Sequence, residues 1–174
     1  MATFSGGRSV GVYGVAKLFS VFVMFIPGAI GGVFFKRLAE AAQDLPEAWR
    51  LERAFLLVIV AACGSVALGL YFFAAPGLSY LYGDDYAESI PILRILCLGI
   101  VPGGLCIGLA VFNTSTKRPK NNVVISTCGA VVCVIAVFAL LPGYGALGAA
   151  WAVVAANVSA ALTGFVLLWK VIRG

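Results

Sequence analysis

The sequence contains no histidine and few charged residues. Of its 174 residues, 11% are charged and 62% are hydrophobic, whereas a soluble domain is about 25% charged and about 45–50% apolar. A soluble fold of this length needs a polar surface that so few charges cannot supply. The composition therefore excludes an ordinary soluble domain and a disordered chain. The absence of histidine excludes imidazole metal sites and histidine-based nucleophile pairs.

Cysteine is present, but without the pattern of a metal site or a disulfide framework. All five cysteines fall within long apolar runs, and none has C-x-x-C spacing. They are Cys63, Cys97, Cys106, Cys128 and Cys133. We interpret them as small apolar core residues. Since the sequence shows no acid–base or nucleophile pair, we expect a protein that is not an enzyme and has no metal or cofactor.

Long apolar runs are abundant. A helix needs about 20 mostly apolar residues to cross the hydrocarbon core of a bilayer. Five stretches meet this length, at about residues 10–35, 55–73, 90–112, 123–141 and 146–169. None alternates apolar and polar residues as a strand of a membrane β-barrel does. We therefore expect an all-α polytopic membrane helix bundle, with five transmembrane helices in one domain over residues 1–174.

Lysine and arginine occur in alternate connections of this predicted bundle. Nine of them lie after the first span, after the third span and in the C-terminal tail, and Arg8 alone lies on the opposite side. The nine are Lys36, Arg37, Arg50, Arg53, Lys117, Arg118, Lys120, Lys170 and Arg173. Because cytoplasmic loops are rich in Lys and Arg, we expect a cytoplasmic C-terminus and an outside N-terminus. The net charge of +5 thus reflects topology, and we expect no nucleic-acid partner.

Four segments resemble a known family when they are taken in order. The run YLYGDDYAESIPILRILCLG, residues 80–99, joins a helix end, an acidic turn and a helix that opens with proline. The others are VGVYGVAKLF at 10–19, NTSTKRPKNN at 113–122 and LLPGYGALGAAWA at 140–152. Their order and spacing resemble the O-antigen, teichoic-acid and exopolysaccharide flippases of the multidrug/oligosaccharidyl-lipid/polysaccharide exporter superfamily.

The resemblance covers about Val10 to Arg173 and corresponds to the last five helices of the family, the polysaccharide biosynthesis protein C-terminal domain. It implies part of the second lobe of a two-lobe flippase, and an outside N-terminus without a signal peptide fits a fragment. The whole protein would translocate an undecaprenyl-pyrophosphate glycan across the bacterial inner (plasma) membrane by alternating access. Its partners would be lipid-linked oligosaccharide, membrane lipids and the missing N-terminal lobe or polysaccharide polymerase machinery.

Other functions remain open. One is a multidrug or lipid II exporter of the same superfamily. Another is a non-transporting membrane scaffold or assembly subunit. The seven acidic residues all fall in predicted loops, whereas ion-coupled transporters usually place a carboxylate within the membrane. We therefore expect no carboxylate coupling site in this chain.

Lys17 and Arg94 are the only charged residues inside the predicted spans. A charge at the bilayer centre costs about 2.5–3.5 kcal/mol on insertion scales. Either both side chains line a polar cavity and bind the phosphate of a lipid-linked sugar, or their long stems reach water at the membrane surface. The resemblance favours the cavity, because related flippases have cationic cavities. Asn113, near the cytoplasmic mouth, is a third predicted substrate-binding residue.

Proline and glycine interrupt two spans. Pro27 lies in the first span, and Pro102 with Gly103 and Gly104 lies in the third. Broken helices mark binding sites in transporters, so these residues are predicted hinges, with a static kink as the alternative. Asn157 lies beside a stripe of alanines, and we expect it to form an interhelical hydrogen bond rather than contact substrate.

Overall fold

The chain is almost entirely helical in a computed structural model that describes residues 5–82 and 88–173. The elements are α1 (Ser5–Glu40), a 3-10 turn (Ala41–Gln43), α2 (Leu45–Tyr82), α3 (Ser89–Ser115) and α4 (Lys120–Arg173). In the described ranges, four helices are long and apolar enough to cross a membrane. The prediction of an all-α, multi-pass membrane protein is confirmed at that level. The acidic turn at residues 83–87, part of the family resemblance, lies outside the described residues.

The segmentation differs from the sequence prediction in α4, which contains both of the last two predicted spans. This helix has 54 residues, about 80 Å at 1.5 Å per residue, against a hydrocarbon core of about 30 Å. Its helical geometry breaks at Gly145, where φ is 55° and ψ is −130°. Only glycine adopts such a conformation without strain. We call residues 120–144 the first arm of α4 and residues 146–173 the second arm.

The two arms lie side by side. The Thr163 hydroxyl of the second arm donates a 3.2 Å hydrogen bond to the sulfur of Cys128 in the first. Gly129 of the first arm packs so closely that an added Cβ would lie 3.2 Å from the Cβ of Ala160. Next to the turn, Gly148 lies directly against the backbone of Leu140. The order of these contacts shows that α4 folds back on itself as an antiparallel helical hairpin.

Helix α3 is the centre of the bundle, since it packs against α1, α2 and α4. One face of α3 lies on α2, where a Cβ added at Gly104 would be 3.0 Å from the side chains of Cys63 and Ile59. A neighbouring face lies near α1, because a Cβ on Gly103 would be 2.7 Å from the Cε of Met24. Glycines therefore bring α3 close to helices on two sides.

A buried stripe on α2 faces this centre. Its members recur every three or four residues and are fully buried: Ala48, Glu52, Phe55, Ile59 and Cys63. The Phe55 ring stacks on Phe34 of α1, with 4.7 Å between ring centroids. The spacing is that of one helix face, and the stripe therefore fixes α2 against α1 and α3.

Candidate functional site

A cavity of about 490 Å³ lies between α1, α3 and the two arms of α4. Its volume is in the range of small-molecule sites, about 300–1,000 Å³. Most of the lining is apolar and small. The side chains that carry a polar group or a thiol are Lys17, Ser20, Cys106, Asn122, Ser126, Cys133 and Asn157. The lining on the first arm extends from Asn122 to Cys133, which is about 16 Å along the helix axis.

Lys17 is the only charged residue among the described residues of this lining. It lies one helical turn after Tyr13 on α1, and Cys133 of the first arm of α4 lines the same cavity. No carboxylate belongs to the described lining, so the ammonium group has no acidic partner there. Since a cation in an apolar wall favours an anion, the cavity suits a negatively charged ligand.

Asn157 takes part in hydrogen bonds between two of the helices that line the cavity. Its side-chain NH₂ donates a 3.1 Å hydrogen bond to the carbonyl oxygen of Gly99 on α3. The thiol of Cys106 in turn donates to the carbonyl oxygen of Asn157 at 3.6 Å. These two bonds join α3 to the second arm of α4. The predicted interhelical hydrogen bond of Asn157 is therefore confirmed.

Arg94 lies apart from this cavity. Its side chain is exposed, and its guanidinium carbon lies 5.2 Å from the ring centroid of Tyr71 on α2. Such a cation–π contact orients an arginine at an aromatic surface. Arg94 is not among the described residues of the cavity lining, and the binding of one phosphate by Lys17 and Arg94 together stays a prediction. Lys17 lies in the described lining, and its role in substrate binding stays a prediction.

Asn113 is buried in a network of amides between α3 and α4. Its NH₂ group donates to the Oδ1 of Asn122 at 2.9 Å, and its Oδ1 accepts from the NH₂ group of Asn121 at 3.2 Å. Asn122 also donates to the carbonyl oxygen of Ala110 at 3.1 Å. Asn122 lines the cavity and Asn113 does not. Asn113 therefore holds the cavity residue Asn122 in position through a hydrogen bond, without lining the cavity itself.

Removing this amide should loosen the connection between α3 and α4. We expect Asn113→Ala to lower the free energy of unfolding by about 1–3 kcal/mol, because it removes a buried amide and leaves the half-buried amides of Asn121 and Asn122 each short of one hydrogen bond. Unfolding in denaturant, followed by circular dichroism, measures the change. Gln43→Ala, which truncates an exposed amide, is the control and should have little effect. Equal stability of both variants would show that the network contributes nothing.

The predicted hinge residues lie in well-packed helix. Helices α1 and α3 continue past Pro27 and Pro102, and Pro27 is fully buried. Gly103 and Gly104 allow close packing on two sides of α3. In the described residues, a break inside an α-helix occurs only at Gly145. Bending at the two prolines stays a prediction.

Glu52 is a residue that the sequence analysis missed. The sequence placed every acidic residue in a loop, but Glu52 lies inside α2 and is fully buried. Neither carboxylate oxygen has a hydrogen-bond partner among the described residues. Its spacing from Ala48 and Phe55 puts all three on one helix face. That spacing is the feature of the sequence by which Glu52 could have been found.

No protein-family model matches the chain, and no curated protein matches it either.

Proposed function

We propose that this chain is the C-terminal part of a lipid-linked oligosaccharide flippase, and that its cavity binds the anionic headgroup of the lipid carrier. The observation that carries the proposal is Lys17, the only charged residue in the described part of the cavity lining, which contains no carboxylate. A phosphate oxygen offsets the cost of an ammonium group in an apolar wall through a charge-assisted hydrogen bond. The same charge disfavours an exporter of cationic drugs.

The position of the cavity suits a lipid-linked ligand. Val21 of α1 and Ser126 and Ala130 of the first arm line the cavity and are also exposed. The cavity thus opens sideways between α1 and α4, at the exposed lateral surface of the helix bundle. Apolar side chains next to this opening are exposed as well, among them Phe22 and Phe25. A headgroup bound in the cavity would leave its lipid chain in the surrounding bilayer.

The proposal includes five membrane crossings, with the N-terminus outside and the C-terminus in the cytoplasm of the inner membrane. Helix α4 would cross twice, once with each arm, and Gly145 would form the outer turn. The antiparallel contacts of the arms support this, and so does a length of 54 residues, more than twice the roughly 20 residues that one crossing needs. Alternating access without covalent chemistry would move the ligand.

Cysteine accessibility tests this topology. In a chain whose native cysteines are replaced by serine, we expect Tyr144→Cys to react with a membrane-impermeant maleimide in intact cells. Arg118→Cys and Lys170→Cys should react only after the cells are opened. All three positions are exposed. If α4 crossed only once, Arg118→Cys and Lys170→Cys would react from opposite sides of the membrane.

Ligand binding tests the function. The chain in lipid nanodiscs should bind a fluorescent undecaprenyl-pyrophosphate sugar saturably, and should not bind the same sugar on an uncharged polyprenyl carrier. Preference for an organic cation such as ethidium would favour the multidrug exporter. No binding by a folded chain would favour the scaffold or assembly subunit. Flipping of the anionic lipid by this chain together with a supplied N-terminal lobe would establish transport.

A further inference from the structure

Among the described residues, Glu52 has no hydrogen-bond partner that accounts for its burial. The side chain is fully buried, and both carboxylate oxygens lack a hydrogen bond in the described part of the chain. Its neighbours along the buried stripe of α2 are Ala48 and Phe55, which offer no polar group. Burying an ionised carboxylate in such surroundings is far more costly than burying a neutral acid.

The other described charged side chains at this end of the bundle are exposed. Four lie on α1 or just after the 3-10 turn, namely Lys36, Arg37, Glu40 and Asp44. Three lie on α2, namely Glu47, Arg50 and Arg53. Lys117 and Arg118 lie between α3 and α4, and Lys120 begins α4. All of these side chains are exposed. Helix α3 itself has no charged residue after Arg94. No described cation therefore neutralises Glu52.

Helix α3 connects Glu52 mechanically to the cavity. The α2 stripe that contains Glu52 continues into Ile59, which lies against Gly104 of α3. Gly103 and Cys106 on the same helix line the cavity. Helix α3 forms a wall of the cavity. A change in the packing of α2 on α3 would therefore shift this wall, because packed helices move as rigid elements.

We propose that Glu52 is a proton-binding site, and that the proton it holds controls how tightly α2 packs against α3 and so how open the cavity is. With the proton bound, the neutral acid is compatible with the apolar stripe and the helices stay closed. When the proton leaves, the carboxylate needs water or a cation, and the interface must loosen to admit one. The cavity is therefore tighter in acid and more accessible in alkali.

The first test is the pH dependence of stability. The unfolding temperature of the wild-type chain in detergent should fall by roughly 4–8 °C between about pH 5.5 and about pH 9, since the folded state loses stability when it must hold the charge. Glu52→Gln mimics the neutral acid and Glu52→Leu removes the group. Both variants should stay near the acidic wild-type value across this range.

The second test reads the cavity through Cys106, kept as the only cysteine. The rate of reaction with a soluble maleimide, divided by the rate in the Glu52→Gln chain, should be near one in acid and rise several-fold in alkali. Division by the Gln variant removes the pH dependence of the thiol itself. Glu47→Gln changes an exposed acid on the same helix and is the matched control, which should behave as the wild type does.

Two results would overturn the proton site. One is a wild-type chain whose stability and Cys106 reactivity change with pH no more than those of Glu52→Gln. The other is a Glu47→Gln control that abolishes the pH dependence, which would assign it to surface charge. Neither measurement uses a lipid ligand. A cavity that binds no anionic lipid would overturn the proposed function and leave this proposal standing.

Discussion

Replacing Lys17 with glutamine should weaken binding of the fluorescent undecaprenyl-pyrophosphate sugar by about 10- to 100-fold. Glutamine keeps a polar side chain of similar length but removes the only charge among the described residues of the cavity lining. A hydrogen bond to a charged group contributes about 1.5–3 kcal/mol, and each 1.4 kcal/mol corresponds to a tenfold change in affinity. Titration in nanodiscs, followed by fluorescence anisotropy, measures the dissociation constant.

Two further variants give this prediction its controls. Lys17→Arg keeps the charge and binds phosphate well, so its affinity should stay near that of the wild type. Arg94→Gln removes a charge that lies outside the described lining, above the ring of Tyr71, and it should leave the affinity unchanged. A large loss of affinity in Arg94→Gln would support the phosphate site shared by Lys17 and Arg94 that the sequence suggested. Unchanged binding in Lys17→Gln would refute the role of this cavity.

The sequence was sufficient to predict the helices, because their length is imposed by the bilayer and their composition by its apolar core. It was less informative about α4. Predicted spans at 123–141 and 146–169 were separated by a short turn, and the structure joins them in one element that breaks only at Gly145. A single residue with left-handed φ is enough to reverse the chain. The glycine is visible in the sequence, but the conformation that it adopts is not.

The site was predicted less well. The position of a residue within an apolar run indicates its depth in the membrane, but it does not indicate the direction of its side chain. Lys17 and Arg94 were equivalent as charges inside spans, yet one lines the cavity and the other covers an aromatic ring. Glu52 was placed in a loop because it precedes the uncharged run at residues 55–73, and Arg50 and Arg53 also lie outside that predicted span. Their side chains are exposed while that of Glu52 is buried, as the 100° rotation between helical neighbours allows.

Gly148 is the position where a single methyl group should do most damage. It lies next to the turn of α4, and an added Cβ would be 2.5 Å from the carbonyl oxygen and 2.7 Å from the carbonyl carbon of Leu140. Those are backbone atoms, which cannot rotate away as a side chain does. Gly148→Ala must therefore push the two arms apart, and the arms form two walls of the cavity.

We expect Gly148→Ala to lower the free energy of unfolding by about 2–3 kcal/mol, seen as a drop of roughly 4–12 °C in unfolding temperature. Gly143→Ala is the matched control, because an added Cβ there has no atom within 4 Å. Whether Gly148→Ala lowers or raises the stability distinguishes a hairpin from a straight α4. In a straight α4, alanine at position 148 would favour the helix by about 1 kcal/mol and stabilise the chain. Loss of stability at Gly148, with none at Gly143, requires that the arms pack against each other in the membrane.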